Sequence, residues 1–293
     1  MVVRAPRPVQ RFIDLPDGRM ACLDFGPRDR APDLVFVHAN GFNASTYRNL
    51  LATPAKTHRI LAVDLRGHGR TELPLPDGRL RSWRTHADDL IAFVEAACPR
   101  PPVLAGHSMG GTVSLLAASR RPDLARALVL LDPVIWTPRR DLLLSLPLFD
   151  RAAEKAPVVK GALKRRSVFA SPGEALAAYR GRGAFKGWAD QTLKDYLKDG
   201  LRLTDGGAYE LACAPAWEAA NFAAQGNRVW RALRRLQVPA TVICGSVRST
   251  TSRPDLVARS PGVKVEVLEG QGHFFPLLNP SETADRLGAA LAG

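Results

Sequence analysis

The chain has 293 residues, 46% of them apolar and 24% charged, an ordinary globular balance with ample length for a large buried core. No apolar run reaches the roughly 18 residues of a transmembrane helix, and the N-terminal "MVVRAPRPVQRF" lacks the apolar stretch and small-residue cleavage site of a signal peptide. The expectation is a cytoplasmic protein with no stable membrane insertion. The net charge of +13 comes mostly from arginines spread among acids, with no zinc finger, basic helix or aromatic ribonucleoprotein motif beside them. It reads as a solvated basic surface, not a nucleic-acid site.

In chain order, "VQRFIDLPDGRMACLDFG" is two alternating strands around a Pro-Asp-Gly turn, a hairpin signal. Six short branched apolar runs follow: 33–39, 59–65, 101–107, 127–132, 240–245 and 263–270. Most lack alternation, which suits strands buried on both faces of a parallel sheet. Helix-length stretches lie between them. Residues 82–97 place Leu90, Phe93, Val94 and Ala97 on one face, and Ser108 to Arg120 is small and apolar throughout. The last segment opens with Asn279 as an N-cap and Pro280 at the first helical position. Strands alternating with helices predict an α/β, doubly wound, mostly parallel sheet. Cys22, Cys98, Cys213 and Cys244 are scattered without a CxxC or a histidine at ligand spacing, so they read as reduced thiols and not as a metal site.

Residues 135–226 break the alternation. They carry helical patches, Gly/Pro breaks and ten aromatics, and hold no convincing buried strand. They read as a helical cap between the sixth and seventh sheet strands, with 1–134 and 227–293 forming the core domain. Residues 135–236 carry +8 of the net +13. The insertion point faces the carboxyl ends of the strands, where ligands bind in such sheets.

"VLAGHSMGGTVSLLAAS" contains Gly106-His107-Ser108-Met109-Gly110, a G-x-S-x-G between a buried strand and an apolar helix. That turn is so sharp that its central residue must be strained, and Gly106 and Gly110 let neighbouring backbone pass. Ser108 Oγ is then held above the sheet as a nucleophile, with the helix dipole behind it and the Met109 N–H placed to donate to an oxyanion.

Taken together, "GHSMGG", "VFVHANGF", "DLRGHGRT" and "GQGHFFPLLNP" resemble the α/β-hydrolase family, from about residue 20 to the end of the chain. The resemblance implies an oxyanion loop at His38–Phe42, with Ala39 where the family has its first glycine. Asn40 is the implied second N–H donor and Phe42 the alternative. His38, His68 and His107 read as braces. His273 matches the family's general base, which takes the Ser108 proton and returns it to the leaving group. The usual slot for the acid, a few residues past "ICG", holds Arg248 and no carboxylate. Some α/β-hydrolases, including one group of haloalkane dehalogenases, take their acid from the end of the preceding strand. By that match the acid is Asp132, 24 residues after Ser108; a dyad of Ser108 and His273 without an acid is the alternative, and Asp255 is too far past its strand. Phe42, Trp136 and Phe274 are the implied substrate-binding residues.

A serine nucleophile points to acyl transfer on a small ester-like substrate, with an apolar group to match the aromatic cap, and calls for no metal or organic cofactor. Three readings follow: an esterase or lipase; a lactonase, thioesterase, C–C bond hydrolase or perhydrolase on the same residues; or a non-catalytic small-ligand binding protein, for which Arg248 is the one supporting feature.

Overall fold

The structure is a computed structural model and describes residues 8–292, apart from the side chains at 150 and 292. Residues 1–7, within the N-terminal stretch read above, lie outside it, as does Gly293. The main sheet has eight strands: β1 (Val9–Leu15), β2 (Gly18–Phe25), β3 (Leu34–Val37), β4 (Ile60–Val63), β5 (Val103–His107), β6 (Ala127–Leu131), β10 (Ala240–Val247) and β11 (Val263–Gly272). Their order is β1-β2-β4-β3-β5-β6-β10-β11. The β1/β2 hairpin closes with Leu15 opposite Gly18 and joins the sheet antiparallel through β4; every other pairing in the sheet is parallel.

The inner parallel strands β3, β4, β5 and β6 are buried on both faces, which explains why their sequence does not alternate. Val35, Val37, Leu61, Val63, Leu104, Leu128 and Val242 pack on one side against helices Arg84–Ala97, Met109–Arg120 and Val229–Arg235. Leu34, Phe36, Ile60, Ala62, Ala105, Val129 and Ile243 pack on the other, against Leu50, Leu51, Leu287 and a set of aromatics. Each fully buried Val or Leu side chain contributes about 1.5–3 kcal/mol. The last helix starts at Pro280 as expected; the Asn279 side-chain amide donates to Gln271 Oε1 at 2.6 Å.

Between β6 and β10, residues 138–235 form several short helices and a separate three-stranded antiparallel sheet of β7 (Val168–Phe169), β8 (Leu201–Leu203) and β9 (Tyr209–Leu211), in the order β7-β9-β8. This corrects the purely helical expectation for the segment. Strands of two or three residues are too short to show periodicity, and β7 finds its partner β9 about 40 residues away in sequence. No helix among the described residues is long and apolar enough to cross a membrane.

Candidate active site

Because the strands from β3 to β11 run parallel, their carboxyl ends meet at one end of the sheet. Ser108 follows β5, Asp132 follows β6, His273 follows β11 and the Ala39–Phe42 loop follows β3. Ser108 has φ 56° and ψ −118°, the strained turn that G-x-S-x-G demands. A Cβ on Gly110 would lie 2.3 Å from the Val37 carbonyl oxygen, and one on Gly106 would lie 2.5 Å from the Gly110 carbonyl carbon. Only glycine fits either position without moving backbone. The Ser108 N–H donates to Leu131 O at 2.9 Å, while its Oγ makes no hydrogen bond among the described residues and faces a cavity of about 910 Å³. His273 lines the same cavity, and no hydrogen bond joins it to Ser108 Oγ. Such bonds often tighten only when substrate binds.

Asp132 is fully buried and has φ 42°, a left-handed conformation that aspartate tolerates better than most residues. His273 Nδ1–H donates to Asp132 Oδ2 at 2.5 Å. With that N–H engaged, the neutral ring keeps its lone pair on Nε2. The rest of the carboxylate is held by the loop after β10. Ser249 Oγ donates to Oδ1 at 2.5 Å, Thr250 N–H to Oδ2 at 3.0 Å, Thr250 Oγ1 to Oδ2 at 3.2 Å, and Gly245 N–H to Oδ1 at 3.3 Å. Burial alone would raise the Asp132 pKa, but the hydrogen bond and charge of His273, with Ser249 and Thr250, outweigh it and hold the carboxyl below its ordinary value. Arg248, in the same loop, is exposed. Asp255 is paired at the surface with Arg253 at 2.6 Å.

The N–H groups of the Ala39–Phe42 loop can be assigned one by one. Ala39 N–H donates to Tyr47 Oη at 3.2 Å, Gly41 N–H to His68 Nε2 at 3.1 Å and Phe42 N–H to Ala39 O at 3.1 Å. Asn40 N–H has no acceptor among the described residues, and neither has Met109 N–H at the start of its helix; both residues line the cavity. Phe42, Trp136 and Phe274 line it too. The Phe42 ring sits 5.2 Å from Trp188 and 6.1 Å from Phe274.

The other histidines near the site are held by hydrogen bonds within the framework. His38 Nε2 accepts the Leu65 N–H at 2.9 Å. His107 bridges Tyr47 Oη, 2.8 Å from Nδ1, to the His273 carbonyl, 2.9 Å from Nε2. Tyr47 and His107 therefore tie the Ala39 backbone to that of His273, a link the sequence did not reveal. Nor did it reveal the Ser249–Thr250 cradle, although the run of hydroxyls in "SVRSTTS" is its one signal.

His38, His68, His86 and His107 are fully buried, and burial lowers all four pKa values, that of His38 to about 4. In the unfolded chain they take up protons near pH 6.5, whereas the folded chain resists until far lower pH. Their stabilisation is present above pH 6.5 and is lost as pH falls toward 4, each group removing at most about 1.4 kcal/mol per pH unit. Asp64, raised to about 7 by burial, works in the opposite direction, as do Asp141 and Asp195, also raised by burial, but the four histidines outnumber them. The melting temperature is therefore expected to fall continuously from pH 7 to pH 4.5; a flat profile by circular dichroism would contradict this.

The model of the alpha/beta hydrolase family matches residues 34–286. The chain is 25% identical over 280 residues to 2-(acetamidomethylene)succinate hydrolase of Mesorhizobium japonicum, covering 94% of this chain and 92% of that protein. It is 37% identical to the mouse sn-1-specific diacylglycerol lipase ABHD11 over 112 residues, 36% of this chain and 35% of the relative. Among solved structures, E-2-(acetamidomethylene)succinate hydrolase superposes with a TM-score of 0.75 at 21% identity, over 98% of this chain and all of the other. An M. tuberculosis esterase superposes with a TM-score of 0.73 at 22% identity, over 98% and 93%. The chain belongs to the alpha/beta hydrolase family. These two relatives are hydrolases, which supports an enzyme.

Proposed function

We propose that the protein is a serine hydrolase that cleaves carboxylic esters through an acyl-enzyme. Ser108 attacks the carbonyl while His273 Nε2 takes its proton. Asp132 fixes the tautomer and stabilises the imidazolium, and the N–H groups of Asn40 and Met109 receive the oxyanion, each such donor contributing about 3 kcal/mol. The protonated His273 then gives its proton to the departing alcohol, and water attacks the acyl-enzyme by the same route in reverse. Residues 135–226 act as a cap over the cavity.

The observation that carries this reading is the 2.5 Å bond from a buried Asp132 to a His273 that shares one cavity with a strained, unbonded Ser108. Phe42 is a weaker oxyanion donor than Asn40 because its N–H is already bonded within the loop. The exposure of Arg248, with Asp132 bonded to His273, favours the enzyme over a non-catalytic binding protein. The cavity is large and lined mostly by apolar side chains, which suits a sizeable apolar acyl or alcohol group. Purified protein is expected to hydrolyse p-nitrophenyl acetate and butyrate with saturation kinetics. No turnover of either ester, nor of a wider ester panel, would contradict the proposal.

A further inference from the structure

The charged side chains lining the cavity, His273 aside, are Arg140, Arg165, Arg182 and Glu218: three cations against one anion. Arg165 is the inner one, with a side chain 14% exposed. Its Nη1 donates to Glu218 Oε2 at 2.7 Å, its Nη2 to Tyr196 Oη at 2.5 Å and its Nε to Tyr179 Oη at 3.3 Å. A guanidinium has five N–H donors, so two remain without a partner among the described residues. The group is fixed in place by the rings of Tyr179 and Phe185, whose centroids are 5.0 and 5.5 Å from Arg165 Cζ.

Glu218 ties this arginine to the oxyanion loop. Its carbonyl accepts the Asn40 side-chain amide at 2.9 Å, and its Oε1 lies so close to Gly41 that a Cβ there would meet it at 2.5 Å. Arg140 and Arg182 are exposed and have no carboxylate partner among the described residues; Arg140 Cζ lies 3.8 Å above the Trp136 ring. A purely apolar substrate would desolvate these donors and give nothing back. The planar fork of arginine matches a carboxylate.

We infer that the cavity holds a subsite for a substrate carboxylate remote from the scissile bond, formed by the two spare donors of Arg165 with Arg182 and Arg140. This rests on the ester-hydrolase reading and names its substrate class: esters bearing a free carboxylate on the acyl or the alcohol side.

The test compares matched esters at pH 7.5. Monomethyl adipate against dimethyl adipate probes the acyl side; 4-acetoxybutyrate against butyl acetate probes the alcohol side. One pair is expected to show a charged-to-neutral ratio of kcat/KM of about tenfold or more, carried by KM. That ratio should collapse toward one in R140Q/R182Q and in 0.5 M NaCl. Both substitutions are at exposed positions, so this variant keeps the test open if R165Q, which strands Glu218, does not fold. Calorimetric titration of S108A with the same esters reads binding without turnover. If wild type cleaves the neutral esters and neither pair shows a ratio above one, the subsite is overturned and the hydrolase reading stands. If wild type cleaves none of the four but S108A binds a charged ester about tenfold more tightly than its neutral match, the subsite stands and the hydrolase reading falls. A charged-ester advantage that survives in both R140Q/R182Q and folded R165Q would overturn the assignment to these arginines.

Discussion

Ser108→Ala is expected to lower kcat for p-nitrophenyl butyrate by about 10⁵–10⁶-fold while leaving the fold intact. The Ser108 hydroxyl has no bonding partner among the described residues, so removing it breaks nothing that holds the elbow. The backbone bonds through Ser108 N–H to Leu131 O and from Thr112 N–H to Ser108 O, at 2.9 and 3.1 Å, do not depend on the side chain. Alanine at φ 56° is about as strained as serine, so the melting temperature should move by no more than a few degrees. What activity remains would come from the oxyanion donors and substrate binding. Retention of more than a few per cent of kcat would mean that another group attacks.

Asp132→Asn is expected to reduce kcat by about 10⁴-fold. An asparagine cannot accept from all the groups that converge on this carboxylate. Its amide N–H₂ must face His273 Nδ1–H, Ser249 or Thr250, each of which now donates to a carboxylate oxygen. If the amide faces the imidazole, it favours the tautomer with the proton on Nε2, which cannot take a proton from Ser108. The same mismatch leaves a buried donor unsatisfied, at about 1–3 kcal/mol of stability. Arg248→Ala is the companion variant: exposed and outside the cavity lining, it should leave kcat/KM within about twofold. A folded Asp132→Asn protein with near wild-type kcat would show that the relay works without this acid.

The sheet was legible because its strands are short branched runs separated by helix-length stretches, and because G-x-S-x-G at a strand-to-helix junction has so few other uses. The strained Ser108 follows from that pattern directly. Asp132 could be singled out as the candidate acid only through the family resemblance. Arg248 stands in the usual slot, and Asp132 ends the neighbouring strand; nothing local distinguishes Asp132 from an acid that merely turns the chain. What the sequence could not display is the loop that replaces the missing carboxylate. Ser249 and Thr250 meet Asp132 across more than 110 residues, through the parallel pairing of β6 and β10. The choice between Asn40 and Phe42 was hidden for a related reason. It depends on which loop N–H is already used, a matter of turn geometry and not of residue type. The segment over the cavity was least legible, because its α-helices are only five to eleven residues long and β7 of its small sheet pairs with a strand about 40 residues away. Its Arg165–Glu218 pair joins positions 53 residues apart.

A covalent trap would decide whether Ser108 is the nucleophile. The wild-type protein would be treated with one equivalent of a fluorophosphonate, residual esterase activity followed, and the labelled protein digested for peptide mass mapping. The expected result is loss of activity in step with one adduct per chain, located on Ser108, absent from Ser108→Ala and formed far more slowly in Asp132→Asn. An adduct on a different residue, or full activity after Ser108 is labelled, would contradict the account.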